Sequence, residues 1–105
     1  MLTEWTAPAM VPADHACLAG HFPGRPIVPA VVLLELAVEA IHERFPSLQV
    51  SAVGSAKFLR PVFPASPLTL QLSVDTSRGQ ARFRCQLAEG DAAVGELGFV
   101  AVPAA

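Results

Sequence analysis

An imidazole and a carboxylate are the side chains best suited to moving protons near neutral pH, and this chain holds one of each at the ends of HFPGRPIVPAVVLLE, residues 21–35. His21 directly precedes Phe22-Pro23-Gly24. Glu35 lies fourteen residues on, in a segment otherwise made of Val, Leu and Ala. An unpaired carboxylate in hydrocarbon costs several kcal/mol, so Glu35 must be paired, open to a cavity, or turned to solvent with Glu39 continuing a polar stripe one turn later. A histidine in such a turn serves equally well as a backbone cap. Together the two residues suggest an acid/base pair, with contact inside one chain and contact across an oligomer interface both left open by the spacing.

A third element of chemistry is the start of the helix that Glu35 occupies. Free N–H groups near Pro29, Ala30 and Val31, at the positive end of the helix dipole, suit a carbonyl oxygen gaining negative charge. Arg25, Lys57 and Arg60 form at most a modest basic patch. His15 and His42 lack a comparable setting and read as solvated. Ser47, Ser51 and Ser55 show no nucleophile elbow, and no Gly-rich phosphate loop or metal-ligand spacing occurs.

The surrounding sequence shows what must hold these groups. Gly20, Pro23, Gly24, Pro26 and Pro29 fall within ten residues and make a stiff, shaped loop. Pro29 suits the first turn of a helix, and Phe45-Pro46 stops that helix near Arg44. With almost no polar face in its first three turns, the helix over residues 30–44 is expected to be buried on nearly all sides. Leu68, Leu70, Leu72 and Val74 alternate with polar residues, as do Ala81, Phe83, Cys85 and Leu87, which predicts two half-buried strands joined by a TSRG hairpin turn. Glu89-Gly90-Asp91 reads as a second turn before a strand from Ala93 to Val102, and an earlier strand runs from Leu48 to Leu59. Residues 1–13, with Pro8 and Pro12, suit an extended arm or an edge strand. The fold class is α+β: a curved antiparallel sheet wrapped around one long helix, in a single domain over residues 1–105.

Composition narrows the function. Apolar residues make up 52% of only 105 residues, with mean hydropathy +0.47, which is more than a small monomer hides and points to an oligomer interface. A net charge of -2 without a Lys/Arg cluster argues against nucleic acid. The longest apolar run is interrupted by Glu35 and too short for a bilayer, and the N-terminal residues MLTEW carry no signal-like pattern, so a cytoplasmic protein is expected. Cys17 and Cys85 read as two reduced, buried thiols.

These residues resemble a known family. GHFPGRPIVPAVVLLE, Gly20 to Glu35, is similar to the GHFPGxPxxPG signature of the hot-dog-fold (3R)-hydroxyacyl-ACP dehydratases, and KFLRPVFP, Lys57 to Pro64, to their KFxxPVxPGD segment. The resemblance covers roughly Asp14 to Val102. It implies a hot-dog fold and a homodimer, with acyl carrier protein as partner. It implies dehydration of a (3R)-3-hydroxyacyl thioester to the trans-2-enoyl thioester with no cofactor beyond the phosphopantetheine that the carrier brings. His21 then matches the catalytic histidine and Glu35 the carboxylate from the other subunit, while the amides of Ala30 and Val31 polarise the thioester carbonyl. Gly20, Phe22, Pro23, Gly24 and Pro29 shape the loop, and Arg25, Lys57 and Arg60 become candidate carrier contacts. Ala30 stands where the family has glycine, a methyl group beside the thioester that leaves the N–H in place. About twenty residues precede the motif, as in the short forms of polyene or pigment pathways. A hot-dog thioesterase using Glu35 to direct water, or a non-catalytic acyl-carrier-binding subunit, are the other readings.

Overall fold

Alternation of apolar and polar residues becomes one sheet whose inner face is hydrocarbon. The computed structural model describes residues 1–14 and 27–102. Its elements are β1 (Leu2–Ala9), α1 (Ala30–Arg44), β2 (Leu48–Phe58), β3 (Leu68–Asp75), β4 (Gln80–Leu87) and β5 (Gly90–Ala101), with an antiparallel strand order of β1-β3-β4-β5-β2. In β3 and β4 the register sets Leu70 opposite Cys85, Leu72 opposite Phe83 and Val74 opposite Ala81, and all six are buried. Their neighbours Gln71, Arg82 and Arg84 face water. Each large apolar side chain so buried contributes about 1.5–3 kcal/mol relative to exposure.

The turns follow their local chemistry. At the β3–β4 hairpin the Asp75 carboxylate accepts hydrogen bonds from the Ser77 hydroxyl at 2.7 Å and the Ser77 N–H at 3.1 Å, and Gly79 takes φ 64°. The Ser77 hydroxyl is the chief reason that the Asp75 carboxyl lies below its usual 3.8. The next hairpin is tighter than the expected Glu89-Gly90-Asp91 turn. Leu87 pairs with Gly90, whose φ of 138° lets the ladder restart at once, so β5 begins at Gly90 rather than Ala93. It ends at Ala101, and β2 ends at Phe58, one residue short of expectation. The N-terminal segment is indeed an edge strand. Among the described residues β1 pairs only with β3, which leaves Pro8, opposite Thr69, with no strand on its other side.

The helix has the expected limits. Pro29 stands at its N-cap, and the Phe45 N–H closes the last turn onto the Ile41 carbonyl at 2.8 Å before Pro46. Beyond that end Trp5 packs on Phe45 with ring centroids 5.7 Å apart, and the Arg44 guanidinium lies 5.8 Å from the Trp5 ring centre. Burial, however, is one-sided. Val32, Leu33, Ala37 and Ile41 enter the core, whereas Val31 is 57% exposed and Glu35, Glu39 and His42 face outward. A single sheet can cover only one flank of a helix, so the expectation of burial on nearly all sides fails for one chain.

Cys85 lies at the centre of the sheet, fully buried with its thiol free, while Cys17 lies outside the described residues. Burial pushes the Cys85 thiol up from 9.0 to about 11. The native state therefore holds this proton longer than the unfolded chain does. Its contribution is whole below pH 9 and fades as pH rises towards 11. Urea denaturation across that window is expected to show falling stability, and Cys85→Ala, though weaker throughout, should lose this part of the slope. Native Cys85 should also resist iodoacetamide; alkylation at the rate of the unfolded chain would show that the thiol is not enclosed.

Candidate active site

Glu35 owes its position to helical spacing. Val31, Glu35, Glu39 and His42 recur at intervals of three and four and so share one edge of α1, opposite the edge that Leu33, Ala37 and Ile41 sink into the sheet. Leu34 and Val38 flank that edge and are half-buried. The carboxylate is thus outward-facing in the single chain yet bordered by hydrocarbon. At the start of the same helix Pro29 provides no side-chain cap, and the Val32 N–H turns back to the Pro29 carbonyl at 3.0 Å. The N–H groups of Ala30 and Val31, one turn before Glu35, have no acceptor within the helix.

An open pocket of about 290 Å³ lies beside that helix start, walled by Val28, Ala30, Leu33, Phe58 and Val62, with Arg60 as the one charged residue lining it among the described residues. Its two sides are tied together where the Val28 N–H donates to the Val62 carbonyl at 2.8 Å. Ala30 belongs to this wall. Glu35 does not; it lies on the uncovered edge. Lys57 is elsewhere, in a second open pocket of about 500 Å³ on the outer sheet face with Glu4, Arg82, Arg84 and Glu96. That pocket is crossed by the Arg82–Glu96 pair at 3.1 Å and bears no relation to the helix start. Lys57 and Arg60 therefore line different features. His21, with Gly20, Phe22, Pro23, Gly24 and Arg25, lies outside the described residues. No group of three or more potential metal ligands occurs among the described residues.

β2 borders the site and ends the sheet. Among the described residues no strand neighbours its far edge, and it exposes Val53 (54%) and Phe58 (43%), close in sequence to exposed Leu59 and Phe63. An unpaired edge of eleven residues with apolar side chains is a surface that other proteins cover.

Residues 2–96 match the family model described as ApeI dehydratase. The chain belongs to the ApeI dehydratase family. Among relatives of this family member, the 3-hydroxyacyl-[acyl-carrier-protein] dehydratase FabZ of Haemophilus influenzae (strain PittEE) is 32% identical over 85 residues, 71% of this chain and 57% of the relative. The chain spans about half to two thirds of the length of such relatives. The dehydratase heterocomplex ApeI:P from Xenorhabdus doucetiae shares the fold at TM-score 0.84 and 23% identity, over 91% of this chain and 86% of that one. The (R)-hydratase from A. caviae involved in PHA biosynthesis does so at TM-score 0.71 and 20% identity, over 96% and 95%. The hot-dog fold expected from the two motifs is therefore the fold of this ApeI-family chain.

Proposed function

We propose that this chain removes water from a (3R)-3-hydroxyacyl thioester carried on acyl carrier protein, at a site completed by a second subunit. The observation that carries the reading is the placement of Glu35. It stands one turn from the free amides of Ala30 and Val31, on the helix edge that its own sheet leaves uncovered. In the reaction His21 takes the C2 proton and the electron pair forms the C2–C3 double bond. The C3–O bond breaks as Glu35 gives its proton to the departing hydroxyl. Negative charge developing on the thioester oxygen is met by the helix-start amides. Histidine ends protonated and glutamate ionised, and proton exchange with water resets both.

A second copy of the chain, pairing along β2, would cover Val53 and Phe58 and enclose Glu35 beside the partner's loop. Enclosure serves the chemistry, because a closed site keeps bulk water away from the reacting atoms. FabZ acts on carrier-bound 3-hydroxyacyl groups by its name, which supports the substrate class. The name of the ApeI:P heterocomplex supports a different second chain as the alternative to a homodimer. Purified protein given a 3-hydroxyacyl-ACP is expected to yield the enoyl-ACP, one water lighter by mass spectrometry. Release of the carrier's free thiol would instead establish a thioesterase, and tight carrier binding without any turnover a non-catalytic subunit.

A further inference from the structure

The charged group on the wall of the helix-start pocket is held from two directions. The N–H groups of Leu59 and Arg60 both point to the Ala92 carbonyl, at 2.8 and 3.4 Å, which ties this stretch to the start of β5. The side chain then lies over Gly90, two residues from Ala92. A Cβ added to Gly90 would meet Arg60 Nη2 at 3.2 Å, Nε at 3.4 Å and Cζ at 3.6 Å, so the guanidinium packs against Gly90 and a methyl group there would displace it by a few tenths of an ångström. Gly90 also has φ 138°, so its lack of a side chain serves both the turn and the seat. Arg78, Arg82 and Arg84 each have a carboxylate within 4.0 Å, but among the described residues Arg60 has none.

An exposed arginine packed against Gly90, with no carboxylate partner among the described residues, at the edge of an open pocket with apolar walls suits a ligand with an anionic head. A guanidinium with one face covered still offers its N–H edge, and that planar fork matches a phosphate in two-point contact. We propose that Arg60 anchors the phosphate of the pantetheine arm that carries the substrate, and that Gly90 is the positioning residue that keeps Arg60 in place. The inference rests on the carrier-bound thioester reading above. The pocket wall of Val28, Leu33 and Val62 would take the less polar part of the arm, with the phosphate held at Arg60.

The test is equilibrium binding of two unacylated probes, 4′-phosphopantetheine and pantetheine, which differ by the phosphate alone. Wild-type protein should prefer the phosphorylated probe about 10- to 100-fold, as charge-assisted hydrogen bonds allow, with the preference shrinking as salt is added. Arg60→Gln should abolish the preference and leave pantetheine binding unchanged, with a thermal midpoint near wild type because the residue is exposed. Gly90→Ala should reduce it in the wild-type background and change nothing in the Arg60→Gln background, since a residue acting through Arg60 has nothing left to act on. Equal affinity of wild type for both probes, or a preference that survives Arg60→Gln, would overturn the anchor. A preference that survives Gly90→Ala would overturn the seat. Turnover of 3-hydroxyacyl-ACP, measured on the same wild-type preparation, keeps the two readings apart: phosphate preference without turnover sinks only the dehydratase assignment, and turnover without phosphate preference sinks only the anchor.

Discussion

Glu35→Gln is expected to lower kcat/KM by about 10²- to 10⁴-fold, the range that a positioned general acid supplies, while leaving stability within about 0.5 kcal/mol of wild type. The amide keeps the size and shape of the carboxyl but has no acidic proton to give. The fold is indifferent because Glu35 faces outward and makes no ion pair among the described residues. His21→Ala should fall comparably, by loss of the base. A mixture of the two inactive variants is more telling than either alone. If each site takes its histidine from one chain and its carboxylate from the other, subunit exchange makes mixed dimers with one intact site and one doubly disabled site. For random exchange in a twofold dimer half the dimers are mixed, and activity should return to about one quarter of wild type. If both residues serve one site within a chain, mixing restores nothing, and the interface reading is wrong while the roles stand. Full activity in either single variant would remove the roles themselves.

The parts of this structure legible in the sequence are those controlled by near neighbours. Pro29 and Phe45-Pro46 bracket α1 through restrictions that act on adjacent residues, and Leu68 to Val74 and Ala81 to Cys85 show their buried face by period alone. The 57% exposure of Val31 was not legible, because a run apolar at every angle does not say which flank one sheet can reach. Glu35, Glu39 and His42 mark that edge, and their placement fits both a solvated stripe and a surface awaiting a partner. The separation of Lys57 from Arg60 was hidden for a similar reason. Three residues apart in sequence, they fall on either side of the end of β2, where alternation stops and the chain turns beneath the helix start. The seat under Arg60 depends on a hairpin thirty residues away, beyond the range of any local rule.

Gly95 is the sharpest case of such long-range dependence, and Gly95→Ala is expected to destabilise the protein by about 1–3 kcal/mol through overpacking. In a domain of this size that is a fall of roughly 5–20 °C in Tm. Gly95 sits in β5 between Phe83 of β4 and Ala56 of β2, its register partners on either side. A Cβ there would come within 2.5 Å of Phe83 Cε1, 2.8 Å of Phe83 Cζ and 2.5 Å of the Ser55 carbonyl oxygen. The ring can turn aside; the backbone oxygen cannot do so without moving its strand. The β2–β5 register already shifts between Val53 and Ser55, so any relief must come from pushing β2 away from β5. Phe83→Leu added to Gly95→Ala should therefore recover only part of the loss, the ring's share. β2 also carries the open edge on which a second subunit would pair, so Gly95→Ala should weaken self-association along with the fold. A Gly95→Ala protein that melts within about 2 °C of wild type would mean that the sheet absorbs a methyl group here without moving β2.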